Sequence, residues 1–273
     1  MSKIKIVFTD LDRTLLNDNS TFSKQDLQTL RLLGSKNIVR VLITGRNLFS
    51  VKKVIDNDFP VDYLIFSSGI CIMNWQTKKI IFTEHLNENQ SEYITRALIA
   101  EKLDFMVHNP LPDNHFFFYY RSSQNNPDFQ RRLNLYQKFA HRIKIPIKIQ
   151  KASQFIAILN YCSGSELFTA VAENFNDFNV IKATSPLDHK SLWLEIFPSN
   201  VSKGLSAKRL CNYLNVQKEQ SLGIGNDYND LDLLEWTNYS YVVENAPEEL
   251  KNKFTVTVSN NKAGFSRVVK QFV

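Results

Sequence analysis

Short apolar runs alternate with helical segments in the first part of the chain. Three runs rich in Ile, Val, Leu and Phe predict β-strands, at residues 4–8, 38–43 and 62–66. Helices are predicted between them at 23–34 and 47–57, the first capped by Ser23 and ended by Gly34. Because strands that alternate with helices at this spacing form right-handed βαβ units, we predict a parallel sheet.

The middle of the chain has a different pattern, in which strands follow one another in pairs. Residues 70–73 and 79–83 predict a hairpin. Beyond it the order α-β-β repeats, with helices at 87–101, 127–140 and 164–174 and strands at 103–108, 115–120, 147–150, 153–159, 179–183 and 190–197. This order indicates an α+β module that is inserted into the parallel-sheet domain.

The parallel pattern resumes at Ser202. A helix there carries its apolar residues at helical spacing, namely Ala207, Leu210, Cys211 and Leu214. Strands are predicted at 220–224, 239–243 and 254–258, with short helices after Tyr228, at 247–252 and at the end. We therefore predict an α/β fold: a discontinuous, Rossmann-like parallel-sheet core domain at 1–83 and 192–273, and an inserted α+β domain at 84–191.

Composition limits the classes of protein to which the chain could belong. Of its 273 residues 43% are hydrophobic, and only 8 are Gly and 8 Pro, which excludes a disordered or collagen-like chain. No apolar run approaches the roughly 18 residues that a membrane helix needs, and no secretory signal is predicted. Three scattered cysteines, Cys71, Cys162 and Cys211, match neither a disulfide framework nor a zinc motif, so we expect a cytoplasmic protein.

The charge balance is basic, with 33 Lys and Arg against 27 Asp and Glu, a net charge of +6. The basic residues are scattered in pairs at most, without the stripe or the motifs of nucleic-acid-binding proteins. We therefore expect neither a nucleic-acid nor a membrane partner. A modest positive charge suits a solvated surface or an anionic substrate.

Polar residues that could catalyse a reaction or bind a metal follow two of the predicted strands, at the edge where open parallel sheets bind ligands. Asp10 and Asp12 end the first strand, so that one carboxylate could attack phosphorus while the other transfers a proton. The loop at residues 225–230 offers several oxygens and suits a hard cation such as Mg²⁺. Ordinary surface turns are the alternative at both places.

Two further segments could hold an anion. Thr44-Gly45-Arg46 stands between a strand and a helix, where a hydroxyl and backbone N–H groups form an anion-binding cradle. Lys203 opens a helix, a position that is unfavourable for the helix dipole, so it could instead bind a phosphate and offset carboxylate charge. An ordinary helix cap and a solvated lysine are the respective alternatives.

The four segments together resemble a known family. DLDRTLL, LITGR, VSKGLSAKRL and GIGNDYNDLDLL are similar, in order, to the four motifs of haloacid dehalogenase (HAD) superfamily phosphatases. LEIFPSNVSKG and VVENAPEELK resemble the Cof-type branch, subfamily IIB, whose insert is a C2B-type cap. The resemblance covers the whole chain. It implies a Mg²⁺-dependent phosphatase of small phosphorylated metabolites, either sugar phosphates or phosphorylated cofactors, with a cap that closes over the site and selects the substrate.

The resemblance also implies a role for each site residue. Asp10 would be the nucleophile that forms an aspartyl-phosphate, and Asp12 would act first as acid and then as base. The implied phosphate-binding residues are Leu11, Thr44, Gly45, Lys203 and Asn229. The implied Mg²⁺ ligands are Asp10, Asp12, Asn226 and Asp230.

Three positions depart from the family's pattern. Arg13 stands where many relatives have Gly, and its side chain either points to solvent or crowds the turn. Asn226 stands where the fourth motif has Asp; its neutral amide would bind Mg²⁺ more weakly, and Asp227 could replace it if the loop shifts. Ser68-Gly69 replaces the Asn-Gly that is common where the chain enters the cap.

Several questions stay open at this stage. The same aspartyl-phosphate would serve a phosphotransferase or phosphohexomutase, and the departures allow a phosphate-ester-binding protein with weakened catalysis. Monomer and homodimer are both compatible with the sequence. In the insert, Phe116 and Phe118 are expected to lie in the core. The candidates for substrate contact there are His108, His115, Arg121 and His189.

Overall fold

The computed structural model describes residues 4–122, 125–144, 150–159, 164–185 and 187–273. The strands are β1 Ile6–Asp10, β2 Val39–Ile43, β3 Tyr63–Phe66, β4 Cys71–Asn74, β5 Ile80–Thr83, β6 Phe105–His108, β7 Phe117–Tyr120, β8 Ala140–Arg142, β9 Gln154–Leu159, β10 Phe178–Thr184, β11 Leu192–Pro198, β12 Ser221–Gly225, β13 Tyr239–Val243 and β14 Thr255–Thr257. The helices are α1 Lys24–Ser35, α2 Leu48–Val51, α3 Glu88–Ala100, α4 Pro127–Leu135, α5 Gly164–Ala172, α6 Lys203–Leu214, α7 Leu231–Trp236, α8 Glu248–Lys253 and α9 Gly264–Val269.

The chain divides into two compact units. Met1–Thr83 and Ser202–Val273 form the first, which we call the core unit, and Glu84–Val201 forms the second, the inserted unit. None of the helices in the described part of the chain is long and apolar enough to cross a bilayer.

One eight-stranded sheet, in the order β14-β13-β12-β1-β2-β3-β4-β5, organises the core unit. The strands from β14 to β3 are parallel, and β4 and β5 add antiparallel strands at one edge. All five residues of β1 are buried, as expected for a central strand that is covered on both faces. Ile6 and Phe8 pack against Ala207 and Leu210 of α6. The predicted α/β fold with a parallel sheet is confirmed.

A buried polar network joins α1 to α9. Asp26 Oδ1 accepts hydrogen bonds from the backbone N–H and the hydroxyl of Ser266, at 3.0 and 2.6 Å. Asp26 Oδ2 accepts from the Ser23 hydroxyl at 2.7 Å, and Ser23 Oγ in turn accepts from the Asp26 N–H, which is the predicted helix cap. Because buried polar groups must find partners, this network fixes the two helices together.

The helix predicted at 47–57 is much shorter than expected. Asn47 caps it by accepting from the Ser50 N–H at 2.8 Å, but α2 ends at Val51. Helix-type hydrogen bonds continue only briefly beyond it, since Val54 and Ile55 both donate to the Val51 carbonyl. β-Branched residues followed by Asp and Asn favour turns over a continued helix.

The inserted unit contains a six-stranded sheet in the order β10-β11-β9-β6-β7-β8. Its described pairings are antiparallel, except that β7 and β8 run parallel. Apolar residues of α3 and α5 pack on one face around Phe105 and Phe155, and those of α4 pack on the other around Met106 and Ile156. The α-β-β order repeats three times, as predicted.

Three expectations about the insert need correction. The sequence predicts a return to the core domain at residue 192, but β11 pairs with β9 and β10, so the inserted unit extends to Val201. The helix predicted at 127–140 ends at Leu135, and Ala140 begins β8, where pairing with β7 satisfies its backbone. Phe118 is exposed and Phe116 only half-buried, whereas the alternate residue Phe117 lies in the core.

Two expectations fall outside the described residues. Most of the strand predicted at 147–150 lies in the undescribed segment 145–149, as Cys162 lies in the segment 160–163. The other two cysteines, Cys71 and Cys211, are buried free thiols.

Candidate active site

The fold brings the four candidate segments to one edge of the core sheet. β1 runs between β12 and β2, and all three strands are parallel, so their C-terminal ends lie side by side. Asp10 is the last residue of β1, Thr44 follows β2, and Gly225 ends β12. Because ligands bind at this edge of open parallel sheets, its position alone marks a candidate site.

Lys203 connects two of these segments through buried ion pairs. Its Nζ lies 2.7 Å from Asp10 Oδ1 and 2.5 Å from Asp230 Oδ1, and its side chain is 0% exposed. Asn229 Oδ1 lies 3.4 Å from the same nitrogen. One ammonium group therefore serves two buried carboxylates, and the trio keeps a net negative charge when both are ionised.

The close contact of Lys203 with Asp10 and Asp230 shifts the pKa values of Asp10 and Lys203. Burial raises the pKa of Asp10 to about 7 against the attraction of Lys203, and the nearby carboxylates of Asp230 and Asp12 add to the increase. Burial acts to lower the pKa of Lys203, but its ion pairs with Asp10 and Asp230 outweigh burial, so that pKa lies above its usual range. The lysine stays charged, and Asp10 is a carboxyl of the trio that takes up a proton as the pH falls through about 7.

Asp230 directs both of its oxygens to groups that shape the site. Oδ1 pairs with Lys203, and Oδ2 accepts from the backbone N–H groups of Asn226 and Asp227 at 2.8 and 3.1 Å. A Cβ on Gly225 would lie 2.6 Å from the Asp230 side chain, so only glycine permits this close approach. Both oxygens of Asp230 thus contact groups that it can orient, Lys203 and the loop at 225–230, and its role as a metal ligand stays a prediction.

Asn226, in contrast, turns its side chain to the oxygens of the first motif. One terminal atom of its carboxamide lies 3.2 Å from Asp10 Oδ2, 3.0 Å from the Asp12 carbonyl oxygen and 3.1 Å from Thr14 Oγ1. Asp227 lies in the same loop and gives its backbone N–H to Asp230. The structure therefore places the Asn226 side chain, and not that of Asp227, beside Asp10.

The donor set around Asn226 fits a hard cation. The Asp10 carboxylate and the Asp12 carbonyl converge here beside one end of the Asn226 amide, whose oxygen can serve as a third donor, and oxygen donors are what Mg²⁺ selects. In the described part of the chain no group of three or more His, Cys, Asp or Glu side chains could hold a metal. A magnesium site at this position therefore has to use the Asp12 carbonyl and the Asn226 amide together with Asp10.

The segment after β2 forms a tight turn against the other motifs. Thr44 Oγ1 accepts from the Arg46 N–H at 3.1 Å, and the Thr44 N–H donates to the Ile65 carbonyl. A Cβ on Gly45 would lie 3.4 Å from Ser68 Oγ and 3.5 Å from Asn229 Nδ2, so polar groups converge on this glycine. The Leu11 side chain is buried, and a phosphate contact from Leu11 would use its backbone N–H.

Arg46 makes a contact that the sequence did not indicate. Its Nη2 lies 2.6 Å from Asp12 Oδ1 and its Nε lies 2.8 Å from Oδ2, a fork that holds the carboxylate from both sides. The motif predicted only an anion cradle for this segment. No local pattern could reveal an ion pair between residues 34 positions apart.

The helix that carries Lys203 is fixed by a second unpredicted residue. Asp232 Oδ2 accepts from the Gly204 N–H at 2.8 Å, and Ser202 Oγ accepts from the Leu205 N–H at 3.0 Å. Burial raises the pKa of Asp232 against its hydrogen bonds. A Cβ on Gly204 would lie 2.5 Å from the Asp232 carbonyl oxygen, so this glycine sets the distance between α6 and α7.

Two of the departures from the family's pattern lie in left-handed backbone. Arg13 has φ 57° and ψ 18°, which explains why glycine suits that position, and its side chain reaches Asp18 at 3.8 Å and is 39% exposed. Ser68 has φ 52° and lies between Ser67 at 51° and Gly69 at 110°. Such strain is typical of functional sites that the surrounding structure holds in place.

The candidate residues of the inserted unit have mostly local contacts. His108 is buried, its Nδ1 lies 2.8 Å from the Asn114 carbonyl oxygen, and burial lowers the pKa of His108 to about 3, so it is neutral. His115 packs against the rings of Phe116 and Phe139. Arg121 donates to Gln130 Oε1 at 2.5 Å. These contacts assign His108 to the interior of the inserted unit.

Comparisons with known proteins agree on one family. The family model described as haloacid dehalogenase-like hydrolase matches residues 7–269. The putative phosphatase YxeH of Bacillus subtilis is 23% identical over 98% of this chain and 98% of its own. The 5-amino-6-(5-phospho-D-ribitylamino)uracil phosphatase YwtE of the same organism is 24% identical over 99% and 98%. A solved HAD subclass IIB sugar phosphatase shares the fold, with a TM-score of 0.77, 14% identity and 98% coverage of both chains.

Proposed function

The chain belongs to the haloacid dehalogenase-like hydrolase family, and from this premise we propose that it is a Mg²⁺-dependent phosphatase that acts through an aspartyl-phosphate on Asp10. The observation that carries the proposal is the buried Asp10 carboxylate at the end of β1, 2.7 Å from Lys203 Nζ. Asp12 stands two residues further on, held by Arg46. The proposed nucleophile, the proposed proton-transfer group and a cation that could receive phosphate charge thus lie at one sheet edge, which supports the proposal.

The first chemical step transfers the phosphoryl group to the protein. One carboxylate oxygen of Asp10 forms a bond to phosphorus as the bond from phosphorus to the leaving oxygen breaks. Asp12 in its acid form gives its proton to that leaving oxygen, which departs as an alcohol. The products of this step are the dephosphorylated substrate and the aspartyl-phosphate of Asp10.

The second step returns Asp10 to its starting state. Asp12, now a carboxylate, takes a proton from a water molecule, and the water oxygen forms a bond to phosphorus. The bond between phosphorus and the Asp10 oxygen breaks, and inorganic phosphate is released. Both aspartates end in the protonation states in which they began.

The remaining site residues hold the phosphoryl group. We assign this role to Lys203, the Thr44 hydroxyl, the backbone of Gly45 and Leu11, and the Asn229 amide, whose Nδ2 faces Gly45. Mg²⁺ would be held by Asp10, the Asp12 carbonyl and Asn226, where it supplies positive charge against the phosphoryl oxygens. Asp230 orients Lys203 and the loop at 225–230.

The substrate is proposed only as a class, small phosphorylated metabolites such as sugar phosphates or phosphorylated cofactors. The names of the relatives support it: one acts on a phosphorylated ribitylaminouracil, and one of similar fold is a sugar phosphatase. We propose that the inserted unit, Glu84–Val201, selects among such substrates. A cytoplasmic location, the lack of a nucleic-acid partner, and a monomeric or dimeric state stay predictions.

The decisive experiment compares Asp10→Asn with Asp18→Asn, an exposed residue of the same N-terminal region. With Mg²⁺ and p-nitrophenyl phosphate, Asp10→Asn should lose at least about a thousandfold in kcat because the nucleophile is gone. Asp18→Asn should keep its activity, and circular dichroism should show both variants folded. Retained activity in folded Asp10→Asn would refute the mechanism. Release of inorganic phosphate without an isomerised or newly phosphorylated product would separate hydrolysis from phosphoryl transfer.

A further inference from the structure

The Asn226 carboxamide faces two atoms that act only as acceptors. The Asp12 carbonyl and the ionised Asp10 carboxylate have no proton to give, and they lie 3.0 and 3.2 Å from one terminal atom of the amide. An amide oxygen in this place would meet two acceptors, whereas an amide NH₂ satisfies both. The far end of the amide faces a donor, which the oxygen can accept. In the absence of a cation, the nitrogen therefore points to the nucleophile.

We propose that the NH₂ group of Asn226 substitutes for the cation in the metal-free protein, and that the amide reverses to present its oxygen when Mg²⁺ binds. The proposal rests on the Mg²⁺ site of the proposed function. With the nitrogen inward, Asn226 bridges Asp10 Oδ2 and the Asp12 carbonyl, as a metal ion would. With the oxygen inward, the same side chain becomes a ligand.

The spacing of the atoms suits both orientations. Mg²⁺ binds oxygens at about 2.1 Å in an octahedron, so neighbouring ligands lie about 3.0 Å apart. The Asn226 atom stands at 3.0 and 3.2 Å from the other two oxygens, a spacing that also suits hydrogen bonds. The amide can therefore exchange its ends without a shift of the backbone.

Thr14 provides a partner for either end of the amide. Its Oγ1 lies 3.1 Å from the atom that faces inward, and the residue is fully buried. A hydroxyl can accept from an amide N–H and can equally donate to an amide oxygen. Thr14 therefore keeps a hydrogen bond to Asn226 in both orientations, whereas the far end of the amide, which faces a donor, loses that partner when the amide reverses.

The exchange has a consequence for metal affinity and for stability. Asp10 and Asp230 already share the single charge of Lys203, so a third carboxylate at position 226 would be repelled without a cation. The neutral amide removes that repulsion and adds two hydrogen bonds. Mg²⁺ has to break those hydrogen bonds and gains no charged ligand from Asn226, so it binds more weakly than to an aspartate.

The test compares Asn226→Asp with Asn238→Asp, which adds the same charge at an exposed position of the core unit. In EDTA, Asn226→Asp should unfold at a lower temperature than the wild type, and Asn238→Asp should match the wild type. In calorimetric titrations with MgCl₂, Asn226→Asp should bind Mg²⁺ at least about tenfold more tightly than the wild type. Equal stability of the wild type and Asn226→Asp in EDTA would overturn the proposal.

An NMR measurement on the wild type tests the reversal of the amide without the Asn226→Asp variant. Side-chain NH₂ signals of a ¹⁵N-asparagine-labelled protein should include the Asn226 pair, which should shift on addition of MgCl₂ without substrate. An Asn226 pair that does not respond to saturating Mg²⁺ would contradict the reversal. If neither protein binds Mg²⁺, the metal requirement of the proposed function fails, and the comparison in EDTA still decides whether the amide bridges the two acceptors.

Discussion

Arg46 holds the carboxylate of Asp12 in a two-pronged ion pair, with Nη2 2.6 Å from Oδ1 and Nε 2.8 Å from Oδ2. The arginine follows β2 and the aspartate follows β1, so neighbouring parallel strands bring them together. A planar guanidinium fixes the direction of a carboxylate more strongly than a single ammonium group does. The geometry thus determines where the proposed acid and base of the reaction points.

We predict that Arg46→Ala lowers kcat about tenfold for an alkyl phosphate and far less for p-nitrophenyl phosphate, because a nitrophenolate departs with little help from an acid. Steady-state kinetics on the two substrates would measure the difference. Arg46→Lys, which keeps the charge but loses the fork, should fall between the wild type and Arg46→Ala. Equal losses on both substrates would show that Arg46 does not act through Asp12.

Removal of the charge on Lys203 should affect both stability and activity. Lys203→Met leaves two buried carboxylates without a counter-charge, so the free energy of unfolding should fall by about 3–5 kcal/mol. Hydrolysis should fall at least about a hundredfold, because a group that stabilises phosphoryl charge is lost. Urea titration and kinetics would measure the two effects.

The matched control for this variant is Lys208→Met, on the exposed side of the same helix. It changes the same side chain and should stay within about 0.5 kcal/mol of the wild type. An equal loss of stability in the two variants would show that the buried ion pairs of Lys203 do not contribute to the free energy of unfolding.

The close approach at Gly204 predicts a difference in activity between two Gly→Ala changes. Gly204→Ala places a Cβ 2.5 Å from the Asp232 backbone oxygen and should cost about 1–3 kcal/mol of stability, with a loss of activity as Lys203 moves. At Gly34 a Cβ would lie 2.5 Å from the Arg40 guanidinium, which an ion pair with Asp62 holds in place, so Gly34→Ala should also lose stability but should keep its activity. Thermal unfolding and kinetics of both variants would check this; an equal loss of activity in both would refute it.

The raised pKa of Asp10 predicts an unusual pH dependence for the metal-free protein. The group titrates at about 7 in the folded chain, against an ordinary value of 3.8. Between about pH 4 and pH 7 the folded state keeps a proton that the unfolded state has lost, so the contribution of Asp10 to stability falls as pH rises. Asp10→Asn should lack this slope.

Urea titrations in EDTA across this range would give the difference in the free energy of unfolding between Asp10→Asn and the wild type. The difference should grow in favour of Asp10→Asn as pH rises and should level off above about pH 7. Asp18→Asn should show no comparable trend. A difference that stays constant with pH would contradict the raised pKa.

The placement of the candidate segments could be predicted because topology alone brings them together. Asp10, Thr44 and the loop at 225–230 each follow a strand of one parallel sheet, and the alternation of strands and helices identifies that sheet. The ion pair of Arg46 with Asp12 and the cap by Asp232 could not be predicted, since they depend on side-chain directions across distant segments. Asp230 shows the same limit: motif spacing located it, but only its contacts show which groups it can orient.

The errors in the fold have a related cause. Residues 190–197 have the composition of a strand whichever sheet they join, and only pairing with β9 and β10 assigns β11 to the inserted unit. The expectation that Phe116 and Phe118 lie in the core is wrong because residues 116–120 are all aromatic, so no alternation of polar and apolar residues indicates which face of β7 is buried.

The position of β1 has a consequence for how the protein is made. β1 is synthesised before the inserted unit, yet its neighbour β12 begins only at Ser221, after the whole inserted unit. During translation, Glu84–Val201 leaves the ribosome as one continuous segment and can fold while β1 still has an open edge. Until β12 emerges, the backbone N–H and C=O groups along that edge of β1 have no strand to pair with, so the sheet of the core unit is completed only after the inserted unit has been made.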